Sequence, residues 1–374
     1  MLSKRILSCL AVLLVVAIAF PALIPTTLDA VMDISAKSRT CALSRALAHY
    51  TMGIIYDNEG KFEDAIREYR VVLSLEPNIS YVHTRLAVDY ILTNKDKEAL
   101  EELKTARLLD PLDSRPKFLT ALCLTAQGKF EDAGKEYVDI MRMDPESVWV
   151  LSSLADLLVL QQKLNEAAAI YEKILKKEKD SSVLNFNLAV IYSRIGRTDA
   201  AIERLRNAVK LDPGYVEAYI GLGVLYESKK NYAEAMKFFN KALEFDSNKP
   251  AIHFYLGALN DKLKKKGLAV KELREAIRLY PDFAEAYNYL GYIFADSGEN
   301  LDEAVTLIKK ALAIEPDNGA YIDSLGWAYF KKGMYSEALV ELEKAIKLMP
   351  DDPEIKGHLE AVEKKLKKQR NSKF

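Results

Sequence analysis

GAYIDSLGWAYFKKGMYSEALVELEKAIKLMPDD, residues 319–352, writes two helices and a break into 34 residues. Leu325, Gly326 and Tyr329 share one face of the first segment, Gly333 interrupts it, and Ala338, Leu342 and Ala345 line a second segment that ends at Pro350. So short a unit cannot bury its own apolar faces and is stable only when neighbours of the same kind stack on it. The stretch therefore predicts an all-helical solenoid, and with it a binding scaffold.

Working outward, the same pattern is found nine times. The small residue of the second helix recurs as Ala65, Ala99, Ala133, Ala167, Ala201, Ala235, Ala269, Ala304 and Ala338. Its counterpart in the first helix is Gly53, Ala87, Ala121, Ala155, Ala189, Gly223, Gly257, Gly291 or Gly326, which is what two helices crossing at close range require. Seven repeats close on proline, at Pro77, Pro111, Pro145, Pro213, Pro281, Pro316 and Pro350, where the ring stops the helix; Lys179 and Ser247 take the other two places. Just past the first helix, Gly60, Asn94, Gly128, Gly196, Gly298 and Gly333 occupy one common position that calls for positive φ. The fourth and sixth repeats have Gln162 and Lys230 there. The seventh has a lysine run, Lys262 and Lys264 to Lys266, so its turn is expected to be the least regular.

With its order of aromatic, Leu-Gly, Tyr, Ala, aromatic, Ala and Pro, the stretch 46–352 resembles the tetratricopeptide repeat. That resemblance implies an all-α superhelix, an α-solenoid of about nine antiparallel helix pairs, with the first helix of each pair lining a concave groove that holds peptides or partner helices. It also places the fifth and ninth positions of each first helix on that groove. The candidate partner-binding residues are then Tyr50 and Ile54, Val88, Phe118 and Leu122, Phe186 and Val190, Ile220 and Val224, Phe254, Tyr292 and Trp327. Between them stand Thr84, Ser152, Asp156, Ala258, Asn288 and Asp323. Rings and branched chains in such numbers favour a protein or peptide segment with apolar anchors, and Phe118, Phe186 and Phe254 recur two repeats apart. The competing reading is that these side chains bury one another inside a tightly wound superhelix. The Lys and Asn set with which some family members clamp a C-terminal carboxylate is missing.

The ends depart from the repeat. Lys4 and Arg5 precede an apolar run from Ile6 to Phe20, followed by Pro21 and Pro25, so residues 1–28 are expected to be a signal peptide or an N-terminal membrane anchor. Ala17, Ile18 and Ala19 offer a cleavage site. In either case the repeats lie outside the cytoplasm, in the periplasm or held at the inner membrane. Residues 29–45 are a linker. After the array, residues 353–374 are expected to form a capping helix with one apolar stripe, Ile355, Leu359, Val362 and Leu366, and a basic tail. The extra residue of repeat eight, followed by Asp323 to Trp327, resembles the last repeats of exported bacterial tetratricopeptide proteins.

Composition excludes several functions. The chain has 53 basic and 54 acidic side chains, so the field of a general nucleic-acid binder is missing. Cys9, Cys41 and Cys123 form no C-x-x-C pair, and Cys123 is read as a small packing residue, so no disulfide is expected. Three of four histidines, His49, His83 and His253, fall at the fourth position of their repeats, where Tyr219 and Tyr287 sit elsewhere; they are read as packing residues and not as ligands or bases. Without a Gly-rich phosphate loop, a G-x-S-x-G or an H-E-x-x-H, no catalytic residue, cofactor or metal is assigned. The reading is an adaptor in the bacterial envelope. Its alternative is an inner-membrane-anchored assembly or regulatory factor for envelope biogenesis, resembling the anchored tetratricopeptide proteins of lipopolysaccharide control, whose C-terminal cysteine-rich metal module has no counterpart here.

Overall fold

The computed structural model describes residues 41–371; the expected export segment, Cys9 and residues 29–40 of the linker lie outside the described residues. Within them the fold is all-α, nine helix pairs of an α-solenoid and a capping helix, and no strand. They divide between Lys179 and Asp180 into two compact units.

The N-terminal unit holds the first four repeats: α1 (Cys41–Asn58), α2 (Phe62–Leu75), α3 (Ser80–Leu92), α4 (Asp96–Leu109), α5 (Arg115–Ala126), α6 (Phe130–Met143), α7 (Val148–Leu160) and α8 (Leu164–Lys177). Helix α1 starts at Cys41, so residues 41–45 of the expected linker are already helical. The C-terminal unit holds the other five: α9 (Ser182–Arg194), α10 (Thr198–Leu211), α11 (Val216–Ser228), α12 (Tyr232–Phe245), α13 (Pro250–Lys262), α14 (Lys266–Leu279), α15 (Ala284–Ser297), α16 (Leu301–Ile314), α17 (Gly319–Lys331) and α18 (Tyr335–Leu348), then α19 (Pro353–Asn371). Odd-numbered helices from α1 to α17 are the first helices of their repeats, and even-numbered ones the second.

Every repeat closes on the same contact. The nine second-helix alanines are all fully buried, and in three repeats a Cβ added at the first-helix glycine (Gly257, Gly291, Gly326) would lie 3.0–3.3 Å from the carbonyl oxygen of that alanine. A Cβ added at Gly223 would lie 2.4 Å from the Phe239 ring, and one at Gly326 would lie 2.7 Å from Leu342. Those glycines are there for approach, since the partner helix already fills the space. Carboxylates in the first turn of the second helices, such as Glu63, Glu131, Asp199, Glu234 and Glu337, meet the positive end of the helix dipole.

All nine turns carry a left-handed residue at one position, Gly60, Asn94, Gly128, Gln162, Gly196, Lys230, Lys264, Gly298 and Gly333. The seventh turn is therefore regular, contrary to the expectation from its lysines. Lys264 takes φ 60, and Lys265 N–H donates to Asn260 O at 2.8 Å just as Asn231 does to Tyr226 O at 2.8 Å. These bonds satisfy the last carbonyls of the helix and outweigh the cost of a side chain at positive φ, about 1–2 kcal/mol. The irregular turn is the eighth, whose extra residue adds a second left-handed position at Asn300, φ 50.

The capping helix covers the last repeat as expected. Ile355 is buried with Ile322 and Ala345, Val362 with Ala338 and Leu342, and Leu359 and Leu366 pack partly against the latter cluster.

Candidate functional site

Fifth and ninth positions are four residues apart on each first helix and so share a face. In the first three repeats of the N-terminal unit that face is mostly core, whereas in the fourth Ser152 is half-buried and Asp156 exposed. Tyr50 is 2% exposed, edge-on to Tyr81 at 5.4 Å; Phe118 is 3% exposed, edge-on to Trp149 at 4.6 Å; Val88 and Leu122 are buried and Ile54 half-buried. The expectation that Phe118 anchors a partner is corrected by this burial, because the tryptophan of the next first helix already occupies its ring face.

Beside this core the N-terminal first helices carry a half-buried ion pair. Arg85 Nη1 lies 2.6 Å from Asp57 Oδ2, and the Tyr69 hydroxyl donates to the same oxygen at 2.5 Å. Beneath them Asp89 is 2% exposed. Burial, and then the neighbouring Asp57, push its carboxyl up to about 9, so it keeps its proton at neutral pH. Asp57 Oδ1 and Asp89 Oδ2 are both buried without an ordinary donor. A proton held on Asp89 supplies the donor that the pair lacks.

The C-terminal unit differs. Phe186 is half-buried beside Tyr215 at 5.1 Å, Val190 is 43% exposed, and Ile220, Val224 and Phe254 are half-buried. Phe254 meets Phe283 at 5.3 Å and the edge of Tyr289 at 6.0 Å. Carboxylates border this apolar face: Glu227 pairs with Lys262, and Asp261 accepts from the Tyr289 hydroxyl at 3.3 Å.

At the far end of that unit the chain covers its own candidates. The Tyr292 hydroxyl donates to Glu354 at 2.8 Å. Trp327 is stacked by His358 with centroids 4.1 Å apart, and His358 Nδ1 lies 3.0 Å from Asp323. Both Glu354 and His358 belong to α19. Tyr292 and Trp327 are thus contacts of the capping helix, which leaves Phe186, Val190, Ile220, Val224 and Phe254 as the accessible part of the ladder in the C-terminal unit.

The position-four histidines are packed and also bonded. His83 is 8% exposed, with Nδ1 2.6 Å from Glu102 and Nε2 2.8 Å from Pro77 O. His253 repeats this with Glu272 at 2.7 Å and Ser247 O at 3.0 Å, and His49 meets Glu68 at 2.5 Å. At His83, donation from both nitrogens to the carboxylate and the carbonyl requires the charged ring. Burial opposes that charge at His83, but the bonds to Glu102 and Pro77 prevail and raise its pKa above the ordinary value. Cys123 is a buried free thiol, pushed up to about 12 by burial. Among the described residues no group of three or more His, Cys, Asp and Glu side chains could hold a metal ion, and no helix is long and apolar enough to cross a membrane.

Comparison with known proteins agrees with this geometry. One family model described as tetratricopeptide repeat matches residues 46–79, a second matches 124–186, 158–205 and 297–361, and a third matches 186–250 and 263–320. The chain belongs to the tetratricopeptide repeat family. A TPR repeat-containing protein of Pseudomonas aeruginosa is 40% identical over 86 residues, which are 23% of this chain and 14% of that protein's length. A tetratricopeptide repeat protein from Parabacteroides merdae superposes with a TM-score of 0.56 at 19% identity, over 67% of this chain and 98% of its own. The Cut9–Hcn1 hetero-tetramer of the APC/C gives 0.54 at 14% identity, over 85% of this chain and 76% of its own. At these identities the structures share the tetratricopeptide fold, and that fold supports a protein-interaction scaffold.

Two features lay in the sequence unread. Asp89 stands where the next three repeats place Cys123, Leu157 and Ile191, and a carboxyl in an apolar column is a signal in itself. The reach of α19 onto Tyr292 and Trp327 depends on Glu354 and His358, which a reading confined to its apolar stripe passes over.

Proposed function

We propose that the chain is a protein-binding adaptor of the bacterial envelope that grips a partner segment on the first helices α9, α11 and α13. The observation that carries this is the accessible apolar face of Phe186, Val190, Ile220, Val224 and Phe254. Apolar anchors of an extended or helical segment fit it, and Glu227 and Asp261 at its border set polarity. Lys4, Arg5 and the apolar run Ile6–Phe20 support export, or anchoring in the inner membrane with the repeats outside the cytoplasm. That the run nearly reaches bilayer length favours the second reading, an anchored assembly or regulatory factor for envelope biogenesis. A scaffold also suits the way His83 and His253 are each buried and held between a carboxylate and a carbonyl.

A photo-crosslinker at Val190 in the full chain, activated in intact cells, tests this. The expected product is an adduct with another protein in the envelope fraction, lost in Phe186→Ala/Phe254→Ala while the melting temperature changes little. A large melting shift would make those rings core, and an adduct confined to cytosolic proteins would overturn the envelope assignment.

A further inference from the structure

We propose that the turn after α4 is a second docking surface, for a segment of a partner protein that carries an apolar side chain flanked by carboxylates. Leu112, in the turn, is 82% exposed, and Leu108, in the last turn of α4, is 76% exposed. Neither is what the array places there. At these two positions the first repeat has Ser74 and Asn78, the third Arg142 and Glu146, the fifth Lys210 and Gly214, and the last Lys347 and Asp351; no other repeat has a large apolar residue at either. A repeat scaffold tolerates polar turns throughout, so two leucines turned to water in one repeat alone are a departure that folding does not require.

Beside them lies an open depression of about 450 Å³, lined by Lys104, Arg107, Leu108, Pro111 and Lys117. Arg107 is paired with Glu136 at 2.8 Å, and Arg115 with Asp113 at 2.8 Å. Among the described residues no carboxylate lies within ion-pair distance of Lys104 or Lys117; the Lys117 ammonium lies 3.6 Å from Met143 Sδ. Asp110 turns its carboxylate to the Leu112 amide at 3.2 Å. The hollow therefore has an apolar wall and two uncompensated cations on its rim, in a chain whose net charge is −1. Its complement is an apolar side chain to fill the depression with Asp or Glu on either side of it. A depression with this lining is suited to a single anchoring side chain of a protein segment. This surface is separate from the α9, α11 and α13 face, and either can fail without the other.

Two measurements test it on the full chain. A photo-crosslinker at Leu112, activated in cells, should trap a protein whose adduct maps to an apolar residue with Asp or Glu within three positions. In solution, a fluorescent Asp-Glu-Leu-Phe-Glu-Asp peptide should bind at least tenfold more tightly than Lys-Arg-Leu-Phe-Arg-Lys. Leu108→Ser/Leu112→Ser should weaken it at least tenfold with the melting temperature unchanged, because both side chains are exposed, and Lys104→Glu/Lys117→Glu should weaken it at least tenfold in a chain that still melts cooperatively. Equal or undetectable binding of the two peptides would overturn the proposal. So would adducts with phospholipid, with a second copy of the chain, or with nothing.

Discussion

His358 lies flat on Trp327, with ring centroids 4.1 Å apart and 15° between the planes, while its Nδ1 meets both oxygens of Asp323 at 3.0 Å. The capping helix thus holds the last repeat from two sides, with Ile355 and Val362 buried against α17 and α18 and His358 clamped on the first-helix face. His358→Ala should cost about 0.5–1.5 kcal/mol, the worth of a ring pair beyond its buried area. The chain has two tryptophans, so emission of a Trp149→Phe background reports on Trp327 alone. Deleting residues 353–374 removes Ile355 and Val362 as well, each worth roughly 1.5–3 kcal/mol when fully buried. The truncated chain should melt lower and self-associate through its uncovered end; a monomer with an unchanged melting temperature would show that α19 is no cap.

Gly223 sets the approach of α11 to α12. A Cβ there would sit 2.4 Å from Cε1 of Phe239, whose ring is 1% exposed and closed in on every side. Gly223→Ala should destabilise by about 1–3 kcal/mol, the range for overpacking a close-packed core, despite the better helix propensity of alanine. Phe239→Leu in the same chain should recover part of that loss, because Leu205 already fills this role opposite Ala189. Urea midpoints of the two single variants and the double variant decide it: strict additivity would mean that the ring is not the obstacle.

Parts of the molecule were legible because every repeat solves the same problem in the same way. The alanines from Ala65 to Ala338 mark one contact nine times, and a constraint repeated so often shows through any local variation. Accessibility is different in kind. Phe118 and Phe186 hold the same position, yet Phe118 is sealed by Trp149 while Phe186 has only the tilted Tyr215 beside it, so exposure is set by a neighbour from the next repeat and not by register. The Lys264 turn was misread for a related reason: its φ is imposed by the helix-end bonds to the Asn260 and Asp261 carbonyls, and side-chain type only tunes the cost. At the Trp327 end, coverage comes from His358, a polar residue outside the apolar stripe of α19.

The charged state of His83 makes stability depend on pH. Its pKa is raised in the folded chain by Glu102 and the Pro77 carbonyl against the opposing effect of burial. A raised folded pKa means the contribution is complete below the unfolded value, about 6.5, and is lost as pH climbs through the folded one. Melting temperatures should therefore be higher at pH 6 than at pH 8.5, and His83→Gln should narrow that gap. An equal gap in the variant would place the proton elsewhere.

Asp89 gives a second pH dependence, of the same sign and in a wider window. Unfolded, its carboxyl ionises near about 4; folded, burial and Asp57 hold the proton on until about 9. Between those limits the native state binds the extra proton, so stability falls as pH rises and levels off above the folded value. Asparagine keeps the shape and offers an N–H to Asp57 without having to remain protonated. Asp89→Asn should accordingly stabilise the chain by about 1–3 kcal/mol at pH 7, the usual cost of an ill-compensated buried polar group. The gain should be smallest at pH 5 and largest at pH 9. His83 titrates alike in both proteins and cancels in the difference, so paired urea titrations at the three pH values isolate Asp89. Parallel curves would show that Asp89 is ionised in the native state, with Arg85 and not a shared proton balancing the two carboxylates.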